Sequence, residues 1–302
     1  MKIRTFIILM LVINPIDTFP STSASKQPDG TIVSEKPWDN VPEHFFRSTF
    51  SRIRTMSDGL EVVALLGKPQ DMIKGKKYPV VIYNRGGNRE FGKIEEPTLL
   101  MHELIKSGYI ILASQYRGND GSQGVEQFGG DDVHDVLNLI KTAQNLPYAD
   151  TNNIFMIGRS RGGMMTYVAL KEQPPIKRAV VIAGPTDLFK SVQERPEMET
   201  YVYNQLIPNL PENREEEYKK RSVVFWPEKI NVPILIIHGK NDWRVDVSDS
   251  HAIVEKLKQL NKKHLYLEHD NGIKDRRDET GHSLPDEMIK DVINWIDGNH
   301  SK

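Results

Sequence analysis

Short runs dense in Val, Ile and Leu punctuate this chain: Tyr78 to Asn84, Tyr109 to Ser114, Ile154 to Ile157, Ala179 to Ala183, Val232 to His238 and Leu265 to Glu268. Continuous apolar runs of that length are what strands buried on both faces look like. Between them lie stretches of helical period, over Pro97 to Ser107, Asp131 to Asn145, Met164 to Glu172, Val247 to Leu260 and Pro285 to Ile296. In the second of these, Val133, Val136, Leu137 and Ile140 share one face. Upstream, Arg47 to Thr55 and Leu60 to Leu66 flank Ser57-Asp58-Gly59, a hairpin signal. Strands alternating with helices predict an α/β class: a mostly parallel central sheet with helices on both faces. One stretch breaks the rhythm. Residues 187–222 are highly charged, lack strand runs and contain Pro196, Pro208 and Pro211, so a helical lid-type insertion over a pocket mouth is expected there.

The N-terminal end follows a different grammar. Lys2 and Arg4 precede a continuous apolar run from Phe6 to Ile13, Asn14-Pro15 ends it, and small residues follow from Ser21 to Ser25. That is the layout of a secretory signal over residues 1–24, so an exported protein, periplasmic or secreted, is expected, with no membrane association after cleavage; an uncleaved anchor is the alternative. Residues 25–45 are polar and Pro-containing and read as a linker, which leaves 46–302 as one catalytic domain. With no cysteine, disulfides, thiolate metal sites and a Cys-linked lipid are excluded. A formal net charge of -1 gives no reason to expect nucleic acid as a partner. The nine histidines show no zinc-ligand spacing on a helix, and the first parallel strand-helix turn lacks Gly-x-Gly-x-x-Gly, so neither metal nor cofactor is expected.

The candidate chemistry sits where strands end, because ligands of such sheets bind outside the carboxyl ends of the strands. Gly158-Arg159-Ser160-Arg161-Gly162-Gly163 lies between the Ile154 strand and a helix, the context that makes Gly-x-Ser-x-Gly a nucleophile elbow. His238-Gly239-Lys240-Asn241-Asp242 follows a later strand, and Gly281-His282 follows the last. A serine hydroxyl needs a base to take its proton, and that base needs a carboxylate to hold its tautomer. Ser160 as nucleophile, Asp242 as orienting acid and His282 as general base occur in that chain order. Asp246 is a neighbouring rival for the acid, and His269 also follows a strand.

These motifs, with Tyr116-Arg117-Gly118 and Arg221-Ser222, make the chain from Lys77 to Ile296 resemble the prolyl oligopeptidase family of serine peptidases and its α/β-hydrolase relatives. The resemblance implies the α/β-hydrolase fold, a Ser-His-Asp hydrolase acting on a peptide or small-molecule substrate, and catalytic roles for Ser160, Asp242 and His282. Two departures stand out. The stretch before Lys77 is too short for the β-propeller that peptidases of this family often carry. Where family members often have Tyr or His ahead of the glycine pair, this chain has Arg85, with Tyr83 two residues earlier as a candidate substrate contact.

An oxyanion intermediate needs fixed donors. The backbone N–H of Arg161 supplies one, and the Arg85-Gly86 turn the second, through backbone or the Arg85 side chain. Arg85, Arg89, Arg117, Arg159, Arg161, Arg244 and the Arg276-Arg277 pair all fall on this edge, so a cationic rim favouring anionic substrates is a further expectation, with Arg117 either a substrate contact or structural. Three readings stay open: a serine peptidase, a carboxylesterase of acylated carbohydrate or small esters, and a non-catalytic binding protein of the same fold.

Overall fold

The computed structural model describes residues 27–299. The expected signal at 1–24 lies outside them. Among the described residues, no helix is long and apolar enough to cross a membrane.

Nine strands form a single sheet. They are β1 (Ile32–Pro37), β2 (Ser48–Ser57), β3 (Leu60–Pro69), β4 (Tyr78–Asn84), β5 (Ile110–Ser114), β6 (Ala149–Arg159), β7 (Arg178–Ile182), β8 (Ile234–Gly239) and β9 (His264–His269). Their spatial order is β1-β2-β3-β5-β4-β6-β7-β8-β9. The first three and β5 pair antiparallel, and β5 onward is parallel. From β2 on, with β4 and β5 exchanged, this is the strand order of an α/β-hydrolase. The turn between β2 and β3 puts Asp58 and Gly59 at positive φ, which matches the twist of a tight hairpin.

The apolar runs alternate sides as a pleated strand requires. Val80, Ile82, Met156, Val181 and Ile236 face one layer, formed by α2 (His134–Asn145), α3 (Arg161–Lys171) and α7 (Ser248–Gln259). Val81, Ile157, Val180, Leu235 and Ile237 face the other, formed by α1 (Leu99–Lys106) and α8 (Ile289–Asp297). Both helical layers bury their stripes against the central strands, which explains why those strands show no polar face.

One expectation changes. Part of the presumed linker at 25–45 belongs to the sheet: β1 pairs with β2, while Trp38 and Phe45 are buried and Trp38 Nε1 donates to Glu95 O at 2.9 Å. The stretch at 187–222 is helical as expected, with α4 (Leu188–Glu194), a π-helical turn (Glu199–Tyr203), α5 (Asn204–Leu206) and α6 (Leu210–Arg221). It packs on the main core. Leu188, Tyr203, Leu210 and Tyr218 are buried in the same core as α3, and Phe128 packs on Tyr203 with ring centroids 5.1 Å apart.

Candidate active site

The turn from β6 into α3 is shaped by close backbone approach. Ser160 adopts φ 57 and ψ -128, a conformation rare for a residue with a side chain. Its N–H donates to Ile182 O of β7 at 2.8 Å, so the strained residue is tied to the sheet. A Cβ on Gly158 would lie 2.1 Å from Gly162 O, and one on Gly162 would lie 1.9 Å from Asn84 O. No side chain fits at either position. The glycines thus let the elbow press against β4, and the Ser160 hydroxyl stands at the rim of a cavity of about 540 Å³.

Three strand ends converge there. His282, in a 3₁₀ turn (Thr280–His282) after β9, places Nε2 2.8 Å from Ser160 Oγ. Its Nδ1 lies 2.7 Å from Asp242 Oδ2. A carboxylate can only accept, so Nδ1 carries the proton and Nε2 accepts from the serine hydroxyl. Asp242 follows β8 and is fully buried; its other oxygen accepts from the N–H groups of Arg244 at 2.8 Å and Val245 at 3.1 Å. Burial alone would push the Asp242 carboxyl up. Hydrogen bonds from His238 and His282 outweigh that and hold it well below the usual carboxylate range. For His282 the balance runs the other way: burial lowers it, and although Asp242 raises it, the imidazole stays below its ordinary value. The result is an ionised acid beside a neutral base at neutral pH.

His238 belongs to this group, although its role is not evident from the sequence. Its Nε2 faces two acceptors, Val245 O at 2.9 Å and Asp242 Oδ2 at 3.1 Å, so that nitrogen carries the proton. Its Nδ1 accepts from Ser250 Oγ at 2.6 Å. The carboxylate is therefore gripped from two sides. The rivals sit elsewhere in the network. Asp246 pairs with Lys274 at 2.5 Å and accepts from the Ser248 N–H at the start of α7. His269, at the end of β9, packs its ring against the close backbone approach of Gly239 and Gly281.

The remaining expected site residues separate into two groups. Gly86 abuts Ser160: a Cβ there would be 3.1 Å from Ser160 Cβ. Tyr83 is buried in the cavity wall. The Arg161 backbone opens α3, where first-turn N–H groups lack helical partners. Its side chain points away, into a buried pair with Glu126 and Asp132, the latter at 2.6 Å. The Arg85 side chain is not an oxyanion donor, because its N–H groups are spent on the carbonyls of Gln115, Gly86, Arg89 and Phe91. Arg117 is not a substrate contact either. It does not line the cavity, and it is held by Asp135 and by Asp58, each at 2.8 Å.

The cationic rim is likewise mostly neutralised. Arg244 forms a two-point pair with Glu279 at 2.5 and 2.7 Å, and Arg276 and Arg277 pair with Glu197 and Asp275. Arg89 ties the loop after β4 to the helical segment by donating to Gln205 Oε1 and Tyr201 O. That segment supplies Met198, Tyr201 and Val202 to the cavity wall, opposite Phe91.

The chain is similar to known proteins in sequence and in fold. A model of the prolyl oligopeptidase family matches residues 99–274. The chain is 31% identical over 208 residues to the uncharacterized peptidase YtmA of Bacillus subtilis (strain 168), covering 68% of this chain and 79% of that one. It is 26% identical over 211 residues to dipeptidyl-peptidase 5 of Porphyromonas gingivalis, of which it spans 30%. Among solved structures, an acylaminoacyl peptidase of Pyrococcus horikoshii superposes with a TM-score of 0.69 at 25% identity, over 82% of this chain and 41% of that one. Acetyl xylan esterase 1 from Thermoanaerobacterium sp. JW/SL YS485 shares the fold, with a TM-score of 0.61 at 16% identity and coverage of 89% and 88%.

Proposed function

The chain belongs to the prolyl oligopeptidase family and is a serine hydrolase; from that premise we propose that it cleaves peptide amide or carboxylic ester bonds through an acyl-enzyme on Ser160. The observation carrying this reading is the unbroken hydrogen-bond chain from Ser160 Oγ through His282 to Asp242. Ser160 Oγ attacks the substrate carbonyl carbon while His282 Nε2 takes its proton. The oxyanion so formed is met by the Arg161 backbone N–H and by the backbone turn at Gly86, donors already fixed before reaction. Collapse breaks the bond to the amine or alcohol, which leaves with the proton from His282. Water then attacks the acyl-enzyme, with His282 again the base, and the carboxylic acid departs. Asp242 stays ionised throughout and stabilises the imidazolium.

Peptides are favoured over simple esters because the relatives that show the family are named as peptidases. A panel of p-nitrophenyl esters beside aminoacyl and dipeptidyl anilides separates the two. Anilide turnover is expected, and cleavage of esters alone would make the enzyme a carboxylesterase. Ser160→Ala should abolish labelling by a fluorophosphonate probe; a variant still labelled would place the nucleophile elsewhere. Export is part of the same proposal, supported by the basic start and the Phe6 to Ile13 run. Recovery of the full-length chain in the cytosolic fraction would refute it.

A further inference from the structure

Arg159 immediately precedes the nucleophile and lines the cavity, half-buried. A guanidinium carries five N–H donors. Two of these have protein partners: Nε donates to His282 O at 3.4 Å, and Nη2 to Ser283 Oγ at 3.2 Å. Among the described residues, both Nη1 hydrogens and one on Nη2 have no acceptor.

The other cations around the cavity are differently placed. Arg244 has Glu279, Arg161 has Glu126 and Asp132, Lys93 has Glu90 at 3.0 Å, and Arg195 has Glu197 at 3.4 Å. Arg85 is saturated by carbonyls. Among the described cavity-lining cations, Arg159 is the one with free donors and no carboxylate at ion-pair distance.

Its position also gives the charge a direction. The guanidinium lies against His282 O and Ser283 Oγ, beside the residue whose imidazole hands its proton to the departing group. We propose that Arg159 binds a carboxylate on the leaving group, so that the preferred scissile bond lies next to a free C-terminal carboxylate, as in an acyl-amino acid or the last bond of a short peptide. A planar guanidinium with adjacent free N–H groups suits a carboxylate, which it can meet with two parallel hydrogen bonds. This inference rests on the acyl-transfer reading of Ser160 and adds the substrate class to it.

The test uses esters, so that peptidase and esterase chemistry both report. The N-acetyl-alanyl ester of phenyllactate carries a carboxylate on its leaving group, and the matching phenyllactamide ester does not. The wild-type kcat/KM should favour the carboxylate by at least about tenfold, the worth of one good charge-assisted contact. In Arg159→Gln that ratio should fall to near one, while Arg159→Lys should retain part of it. A third pair, p-nitrophenyl monosuccinate against p-nitrophenyl butyrate, moves the carboxylate to the acyl side. There no Arg159-dependent preference is expected.

Equal efficiency on the first pair in the wild type, an unchanged ratio in Arg159→Gln, or an Arg159-dependent preference on the third pair would each overturn the proposal. So would failure to cleave the carboxylate ester by an enzyme that a fluorophosphonate labels at Ser160. Absence of both labelling and ester turnover would instead remove the acyl-transfer reading, and this inference with it.

Discussion

Arg161→Met probes whether the residue after Ser160 is held by its charge. The guanidinium is buried between two carboxylates, Glu126 and Asp132, which are themselves buried, and it lies against Tyr116 and Phe128 with ring centroids 4.8 and 4.7 Å away. Methionine keeps much of the stem's volume and the backbone N–H, but it leaves two carboxylates facing each other without a cation. Breaking a buried pair in this way costs about 3–5 kcal/mol, because desolvation is no longer offset. For a domain of this size that corresponds to a midpoint lowered by roughly 10 °C. Arg277→Ala is the reference: its pair with Asp275 is exposed, and such pairs are worth under about 1 kcal/mol. Urea unfolding followed by tryptophan fluorescence measures both. The cause is then isolated with Arg161→Met combined with Glu126→Gln and Asp132→Asn. If uncompensated charge is the penalty, the triple variant regains more than half of the lost stability. A triple variant no better than the single one would refute that account and assign the loss to packing against the two rings.

The acidic limb of kcat/KM should fall below 6.5, the ordinary histidine value, because burial disfavours the imidazolium of His282 more than Asp242 favours it. The neutral base then persists to lower pH, and a limb at 7 or above in a pH–rate profile would contradict the assignment. Asp242→Asn should lower p-nitrophenyl ester turnover by about 10⁴ by spoiling the tautomer of His282. Asp246→Asn should stay within a few-fold, since Asp246 serves Lys274 and the start of α7; the opposite ranking would exchange their roles. Gly162→Ala should cost at least about 3 kcal/mol or prevent folding, as its Cβ would meet the Asn84 backbone. Gly108→Ala meets nothing within 4 Å and should cost only the left-handed strain at φ 92, about 1–2 kcal/mol. Similar melting temperatures for the two variants would refute the close-approach argument.

Much of this molecule is legible along the chain. The parallel strands announce themselves because, with helices on both faces, β4, β7 and β8 are apolar through their centres, from Val80 to Tyr83, Ala179 to Ile182 and Ile234 to Ile237. Ser160, Asp242 and His282 could be picked out as candidates because ligands of such a sheet bind beyond the strand ends, and strand ends are visible as the places where apolar runs stop. Other features had no local signal. The β1 strand is an exposed edge strand, held by backbone pairing to β2, so its side chains carry no hydrophobic pattern. The helical segment at 187–222 looks detachable because its buried residues, Leu188, Tyr203, Leu210 and Tyr218, are scattered among charges.

The arginines mark the boundary most clearly. Sequence alone determined that a row of guanidinium groups lies at the active-site edge, because each follows a strand. It could not say which were free, since the partners lie on other loops: Asp135 for Arg117, Glu126 and Asp132 for Arg161, Glu279 for Arg244. A charge next to an opposite charge and a charge next to open space read the same in one dimension. Only the tertiary structure, by bringing distant carboxylates to some arginines and leaving Arg159 without one at ion-pair distance, decided which guanidinium keeps free donors at the cavity.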